Sequence, residues 1–228
     1  MVEYSDIHAY EQANLLPEHS KDFQKEEFWT DFFKATQAST KEHFEWYASY
    51  EELKPFFTQA GLVPSTSNRI LVPGCGDSLL SENLAKDLKQ TKVTSIDFAP
   101  EIVDLMNKRG VEGVDYKVMD MLKMDFADDS FDIVLDKGSF DALCCDRTKE
   151  TKKKTVNYLN EVCRVLISKD QAGNKNQNVS HYTIVSLLQD FVFGSLLNYF
   201  VIGDQNPHTE KYQFTMNLYM FSNVIKLS

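Results

Sequence analysis

The sequence predicts an α/β protein built on a doubly wound, mostly parallel sheet. Three observations predict it. Short apolar runs at residues 69–73, 93–97, 114–118, 131–135 and 179–187 alternate with segments of helical periodicity. A glycine turn, Gly74-Cys75-Gly76, closes the first run. An acid, Asp97, ends the second run about 20 residues beyond that turn, the spacing at which a nucleoside ribose is held.

The elements follow in chain order. Residues 1–20 are polar and read as loosely held. Residues 26–34 carry Phe28, Trp29, Phe32 and Phe33 at helical spacing. A second helix is expected over residues 49–60, with Pro55 ending or kinking it early. Residues 61–68 read as a loop rich in Ser, Thr and Pro. After the first strand and its turn, Leu79, Leu80, Leu84 and Leu88 line one face of a helix. Pro100 opens the next helix at a position where its missing N–H costs nothing. A long helix spans residues 150–166, and residues 169–178 form a polar surface loop. A helix near residues 190–199 leads to two last strands, near Val201 and over residues 214–224. Strands alternating with helices in this way give a largely parallel sheet.

Composition narrows the function. Of 228 residues 43% are hydrophobic, which supports one compact core, and the formal net charge is −10. A chain that grips phosphate backbones carries a basic surface, so this charge disfavours nucleic acid and suits a basic protein partner. The four cysteines form no C-x-x-C pair and the histidines lie far apart, which argues against a metal site. Adjacent Cys144 and Cys145 read as buried thiols, consistent with the cytoplasm or nucleus. The polar N-terminus is not a signal peptide, and no apolar run reaches membrane-spanning length.

Ligands of doubly wound sheets bind beyond the carboxyl ends of the strands. Glycines at 74 and 76 let the backbone turn sharply and approach a ligand without a Cβ in the way. Asp97 accepts hydrogen bonds from ribose hydroxyls in one reading and caps the following helix in another. A dinucleotide loop wants a third glycine where this chain has Leu79, which counts against NAD. S-adenosylmethionine carries no phosphate and tolerates that loss. Met119-Asp120-Met121 follows the third strand, where a carboxylate can take an adenine amino group. Asp136-Lys137 stands at the carboxyl end of an apolar strand, which a structural role alone does not explain.

Ile70-Leu71-Val72-Pro73-Gly74-Cys75-Gly76-Asp77-Ser78, Ser95-Ile96-Asp97, Met119-Asp120-Met121 and Leu135-Asp136-Lys137-Gly138-Ser139-Phe140-Asp141-Ala142-Leu143 resemble a known family. It is the class I, seven-β-strand S-adenosylmethionine-dependent methyltransferases that modify lysines of translation elongation factor 1A, in particular the N-terminal domain of methyltransferase-like protein 13. Asn14-Leu15-Leu16-Pro17, Phe28-Trp29, Phe44-Glu45-Trp46-Tyr47 and Glu161-Val162-Cys163-Arg164-Val165-Leu166 extend the likeness over nearly the whole chain. The resemblance implies a Rossmann-like, doubly wound, seven-stranded sheet with an antiparallel final strand and an N-terminal helical cover. Residues 1–60 would form that cover and residues 61–228 the methyltransferase domain.

It also implies the site. Trp29 and Trp46 would close over S-adenosylmethionine, and Phe33 stands where a relative has Tyr, so a hydroxyl contact is lost there. Gly74, with Gly76, would make the loop contact to the cofactor, Asp97 and Phe98 the ribose and adenine contacts, Asp120 and Met121 the contact to the adenine edge, and Lys137 the contact at the fourth strand's end. Two departures from the family pattern are Pro73 before the glycines and the polar loop around Gly173. Taken by themselves, the tryptophans read more readily as core aromatics, and Lys137 reads either as a site residue or as an ion-pair partner of Asp136 or Asp141.

Methyl transfer to lysine needs a neutral amine, whereas lysine has a pKa of about 10.4 in water. Asp136 and Asp141 are the candidate proton acceptors. The resemblance implies elongation factor 1A as the protein substrate and S-adenosylhomocysteine as product. A small-molecule or RNA methyltransferase, a non-catalytic scaffold and an NAD oxidoreductase are the competing readings.

Overall fold

The computed structural model describes residues 17, 19–40, 43–59, 69–88, 91–167, 180–186, 192, 194–196, 199 and 215–220. The Asn14-Leu15-Leu16 part of the N-terminal likeness, the loops expected at 61–68 and 169–178, and the strand expected near Val201 lie outside them.

A 3-10 turn at Ser20–Gln24 precedes helix α1, Glu26–Thr40, and helix α2, Tyr50–Gln59. The start of α2 is written locally. Glu52 accepts both the Ser49 backbone N–H and the Ser49 hydroxyl at 2.9 Å, tying the helix to the residue before it. Pro55 lies inside α2 and does not end it. Tyr50, Leu53 and Phe57, on either side of the proline, are all buried, and that burial outweighs the missing hydrogen bond.

Among the described residues, six strands form one sheet in the order β3-β2-β1-β4-β5-β6. They are β1 Arg69–Pro73, β2 Lys92–Asp97, β3 Val114–Val118, β4 Ile133–Lys137, β5 His181–Ser186 and β6 Thr215–Met220. Helices α3, Leu80–Asp87, and α4, Pro100–Lys108, link the first three strands. Short α5, Ser139–Leu143, and long α6, Lys149–Val165, follow β4. Thr148 caps α6 by accepting the Thr151 N–H.

Every strand pair among the described residues is parallel, β5 with β6 included. This corrects the antiparallel final strand. Apolar alternation reads the same in both chain directions, so it announces a strand without giving its sense. The segment from 187 to 214 is long enough for the crossover that a parallel partner requires. β4 was expected at 131–135 and lies two residues later, which brings Asp136 and Lys137 into the strand itself.

Two apolar layers sandwich the sheet. One joins Ile70, Val72, Ile133 and Leu135 to α3, α4 and the N-terminal aromatics Phe32 and Phe33. The other joins Leu71, Val134, Tyr182 and Ile184 to α6. All of β4 is buried, while β3, at the sheet edge, buries only Tyr116 fully. No described helix is long and apolar enough to cross a membrane. The strand order reverses between β1 and β4, and this is where such sheets open a crevice.

Candidate active site

A cavity of about 600 Å³ lies at that reversal. Its floor is the turn after β1. Gly74 and Gly76 have φ of 57° and 52°, a left-handed backbone that glycine adopts without strain. Close approach adds a second reason. A Cβ on Gly74 would run into the Ser139 side chain, and one on Gly76 would stand 3.0 Å from the Phe33 ring. Ser139 approaches because its hydroxyl donates to the carbonyls of Pro73, at 2.9 Å, and Gly74, at 3.1 Å. The start of α5 is thereby bolted to the glycine turn.

Asp97 organises the next wall. Its Oδ2 accepts the Gly76 N–H at 2.9 Å and its Oδ1 accepts the Ala99 N–H at 3.0 Å. The residue is 5% exposed, and burial pushes its carboxyl up to about 6 against the pull of these backbone donors. The Phe98 backbone N–H adds a third donor, and a carboxylate accepts about four hydrogen bonds, so acceptor capacity remains for a ligand hydroxyl. Phe98, Asp120 and Met121 continue this wall. Asp120 Oδ1 accepts the Leu122 N–H at 2.8 Å, which fixes the turn after β3.

The roof is aromatic. Trp29 stacks on Phe33 with centroids 5.9 Å apart and meets Trp46 edge-on at 6.0 Å. The Trp29 indole donates to the Phe23 carbonyl at 2.7 Å. All three rings, with Phe44 and Tyr47, line the cavity.

Lys137, at the end of β4, lines it too. Its ammonium lies 2.7 Å from Glu45 Oε2 and donates to the Trp46 carbonyl at 3.0 Å. Burial holds its pKa below the usual lysine value, with the Glu45 charge opposing. The ion pair is thus with Glu45, neither with Asp136 nor with Asp141. An ammonium has three donors, so one is left for the cavity.

The two expected acids part company. Asp141 lines the cavity and accepts the Ser186 hydroxyl at 2.7 Å. Asp136 does not. It is fully buried under α5, where Oδ1 accepts the N–H groups of Ser139 and Phe140 at 3.0 and 3.1 Å and Oδ2 accepts the Tyr158 hydroxyl at 2.6 Å. Burial pushes its carboxyl up to about 7. The expectation of Asp136 as direct proton acceptor is corrected here: side chains alternate along a strand, and the residue next to Lys137 faces the opposite side of the sheet.

Sequence reasoning gave no role to four residues that this geometry brings forward. Glu45 holds Lys137, yet a single glutamate in a loop carries no pattern. Tyr47 lines the cavity with φ of 68°, unusual for an aromatic residue, and packs against Gly138. Its phenol is held well above the usual tyrosine range by burial and by the neighbouring Asp141 carboxylate. Asp77 is buried in the wall, and desolvation pushes its carboxyl up to about 6. Gln24 donates to the Leu143 carbonyl and to Thr151 Oγ1, both at 2.8 Å, and so ties the 3-10 turn to α5 and α6.

The cavity therefore offers a buried carboxylate with spare lone pairs, a glycine turn open to close approach, and an aromatic roof. That set fits an adenosine-bearing ligand with an amino-acid tail. Residues 65–171 match the family described as "Methyltransferase domain". This chain carries an S-adenosylmethionine-dependent methyltransferase domain.

The chain is similar to several proteins with narrower names. A protein named "eEF1A lysine and N-terminal methyltransferase homolog" from Drosophila melanogaster is 33% identical over 82% of this chain and 26% of its own length. The Bos taurus "eEF1A lysine and N-terminal methyltransferase" is 34% identical over 82% of this chain and 25% of its own length. The Mus musculus "EEF1A lysine methyltransferase 4" is 31% identical over 67% of this chain and 60% of its own length. The chain thus spans about a quarter of the first two relatives. All ten residues expected from the sequence to bind cofactor line this one cavity at the strand-order reversal: Trp29, Phe33, Trp46, Gly74, Gly76, Asp97, Phe98, Asp120, Met121 and Lys137.

Proposed function

We propose that this chain is a cytoplasmic protein-lysine N-methyltransferase whose substrate is translation elongation factor 1A. The observation that carries the reading is its 31–34% identity to proteins named for that activity. The acidic net charge, −10, suits a basic protein partner. In this reading residues 1–60 form the cover and residues 61–228 the catalytic domain.

S-adenosylmethionine, when bound, supplies an activated methyl group on a sulfonium. Asp97 and Phe98 would hold the ribose and adenine, Asp120 and Met121 the adenine edge, Gly74 and Gly76 the amino-acid tail, and Lys137 the region where β4 ends. Trp29, Phe33 and Trp46 would exclude water above it. The target lysine would enter past Tyr47 and α5. Desolvation there disfavours its ammonium form. Asp141 would accept the departing proton, freeing the nitrogen lone pair, and the Tyr47 hydroxyl would orient the amine. Asp136 would act at one remove, by holding the first N–H groups of α5. With the donor already activated, positioning supplies most of the acceleration.

The test is transfer of labelled methyl groups to intact elongation factor 1A, to a lysine-to-arginine panel of it, and to a matching peptide. Labelling of the intact factor at one lysine, weaker on the peptide and falling with salt, is the expected result. An unlabelled factor beside efficient methylation of RNA or of a free small amine would overturn the substrate.

A further inference from the structure

Glu45 lies in the segment between α1 and α2, in the Phe44-Glu45-Trp46-Tyr47 stretch of the family likeness but with no role implied for it, and its carboxylate gathers three parts of the site. Its Oε2 accepts the Ser78 hydroxyl and the Lys137 ammonium, both at 2.7 Å. Its Oε1 accepts the Leu79 N–H at 2.8 Å, at the entry to α3. The side chains of Lys137 and Glu45 are only 4% and 12% exposed. Lys137 returns to the same segment through the Trp46 carbonyl. One carboxylate therefore joins the aromatic roof to the end of the glycine turn and to the end of β4.

We propose that Glu45 is a positioning residue for cofactor binding: its carboxylate latches the aromatic cover to the glycine turn and to Lys137. This rests on the S-adenosylmethionine reading of the cavity. Its physical basis is directional. Ser78 and Leu79 follow the turn whose glycines floor the cavity, so holding them sets the floor. Trp46 is the next residue after Glu45, so the same bond sets the roof. Lys137 needs a counter-charge to stay ionised at this depth, and Glu45 supplies it. Without that charge the ammonium loses its partner, and the Trp46 carbonyl loses a donor that is held in place. Roof and floor then move independently, and a ligand between them must order both, which weakens its binding.

The test compares wild type with Glu45→Gln, which keeps size and one acceptor but removes the charge, and with Glu45→Asp, which keeps the charge on a shorter arm. Calorimetry with S-adenosylhomocysteine is read together with hydrogen exchange over residues 43–47, with and without ligand. Glu45→Gln should remain folded, bind about tenfold more weakly, and lose exchange protection over 43–47 in both states, with Glu45→Asp recovering part of each. The main loss should appear in KM for the cofactor rather than in kcat. Wild-type affinity together with unchanged protection in a folded Glu45→Gln variant would overturn the latch. The reading of the cavity fails separately, if wild type itself does not bind S-adenosylhomocysteine. The exchange comparison without ligand still reports the latch in that case.

Discussion

The Asp97 carboxylate reaches from the end of β2 to the Gly76 N–H in the turn after β1, at 2.9 Å. Two adjacent strands thus present their carboxyl ends as one rigid corner, with the acid already oriented before any ligand arrives. Asp97→Ala removes both the ligand acceptor and the brace on the turn. Hydrogen bonds to a charged group contribute about 1.5–3 kcal/mol each, so affinity for S-adenosylhomocysteine should fall by at least about tenfold. Calorimetry on the folded variant checks this, and wild-type affinity would remove Asp97 from the site.

The same acid sets a pH dependence. Burial pushes Asp97 from 3.8 up to about 6. Above that value it is ionised and offers its remaining acceptor capacity to a ligand hydroxyl; below it, a proton occupies one acceptor. Cofactor affinity should therefore weaken as pH falls through about 6. Stability should respond in the opposite sense. The folded state holds this proton more tightly than the unfolded state, so the group's stabilising contribution is complete below 3.8 and is lost as pH rises through about 6. Asp77, likewise pushed to about 6, contributes with the same sign to stability. Titration calorimetry from pH 5 to 8 with Asp77→Asn as control separates the two acids.

Of Asp136 and Asp141, only Asp141 lines the cavity, so its loss should show in turnover. Asp141→Asn keeps an oxygen for the Ser186 hydroxyl and removes the proton acceptor. kcat should fall about 100-fold or more, with S-adenosylhomocysteine affinity unchanged. Equal loss of affinity and turnover would assign Asp141 to the scaffold instead.

Asp136 should behave differently. Its three buried hydrogen bonds join β4, α5 and α6. Asp136→Ala strands the Ser139 and Phe140 N–H groups and the Tyr158 hydroxyl, and should cost about 3 kcal/mol of stability in urea unfolding. Unchanged stability would contradict the anchoring role.

Much of this protein was legible as sequence. The α/β class, β1 and β3 to the residue, the glycine turn and Asp97 all follow from local pattern: apolar period, glycine at a sharp turn, and an acid at fixed spacing. These features depend on neighbours along the chain. The resemblance added the roof aromatics and Lys137, which no periodicity would have separated from core residues.

What only the tertiary structure decided involves partners far apart in sequence or direction in space. Strand polarity is one case, because alternation is blind to it and β6 runs parallel. Asp136 and Asp141 are another: both are acids near one strand end, and the pleat and α5 send one into the core and the other into the cavity. Glu45 is the third, since its meaning lies in Ser78, Leu79 and Lys137, up to 92 residues away. A sequence states which side chains carry charge; burial and long-range pairing decide which of those charges meet, and in this fold those meetings build the site.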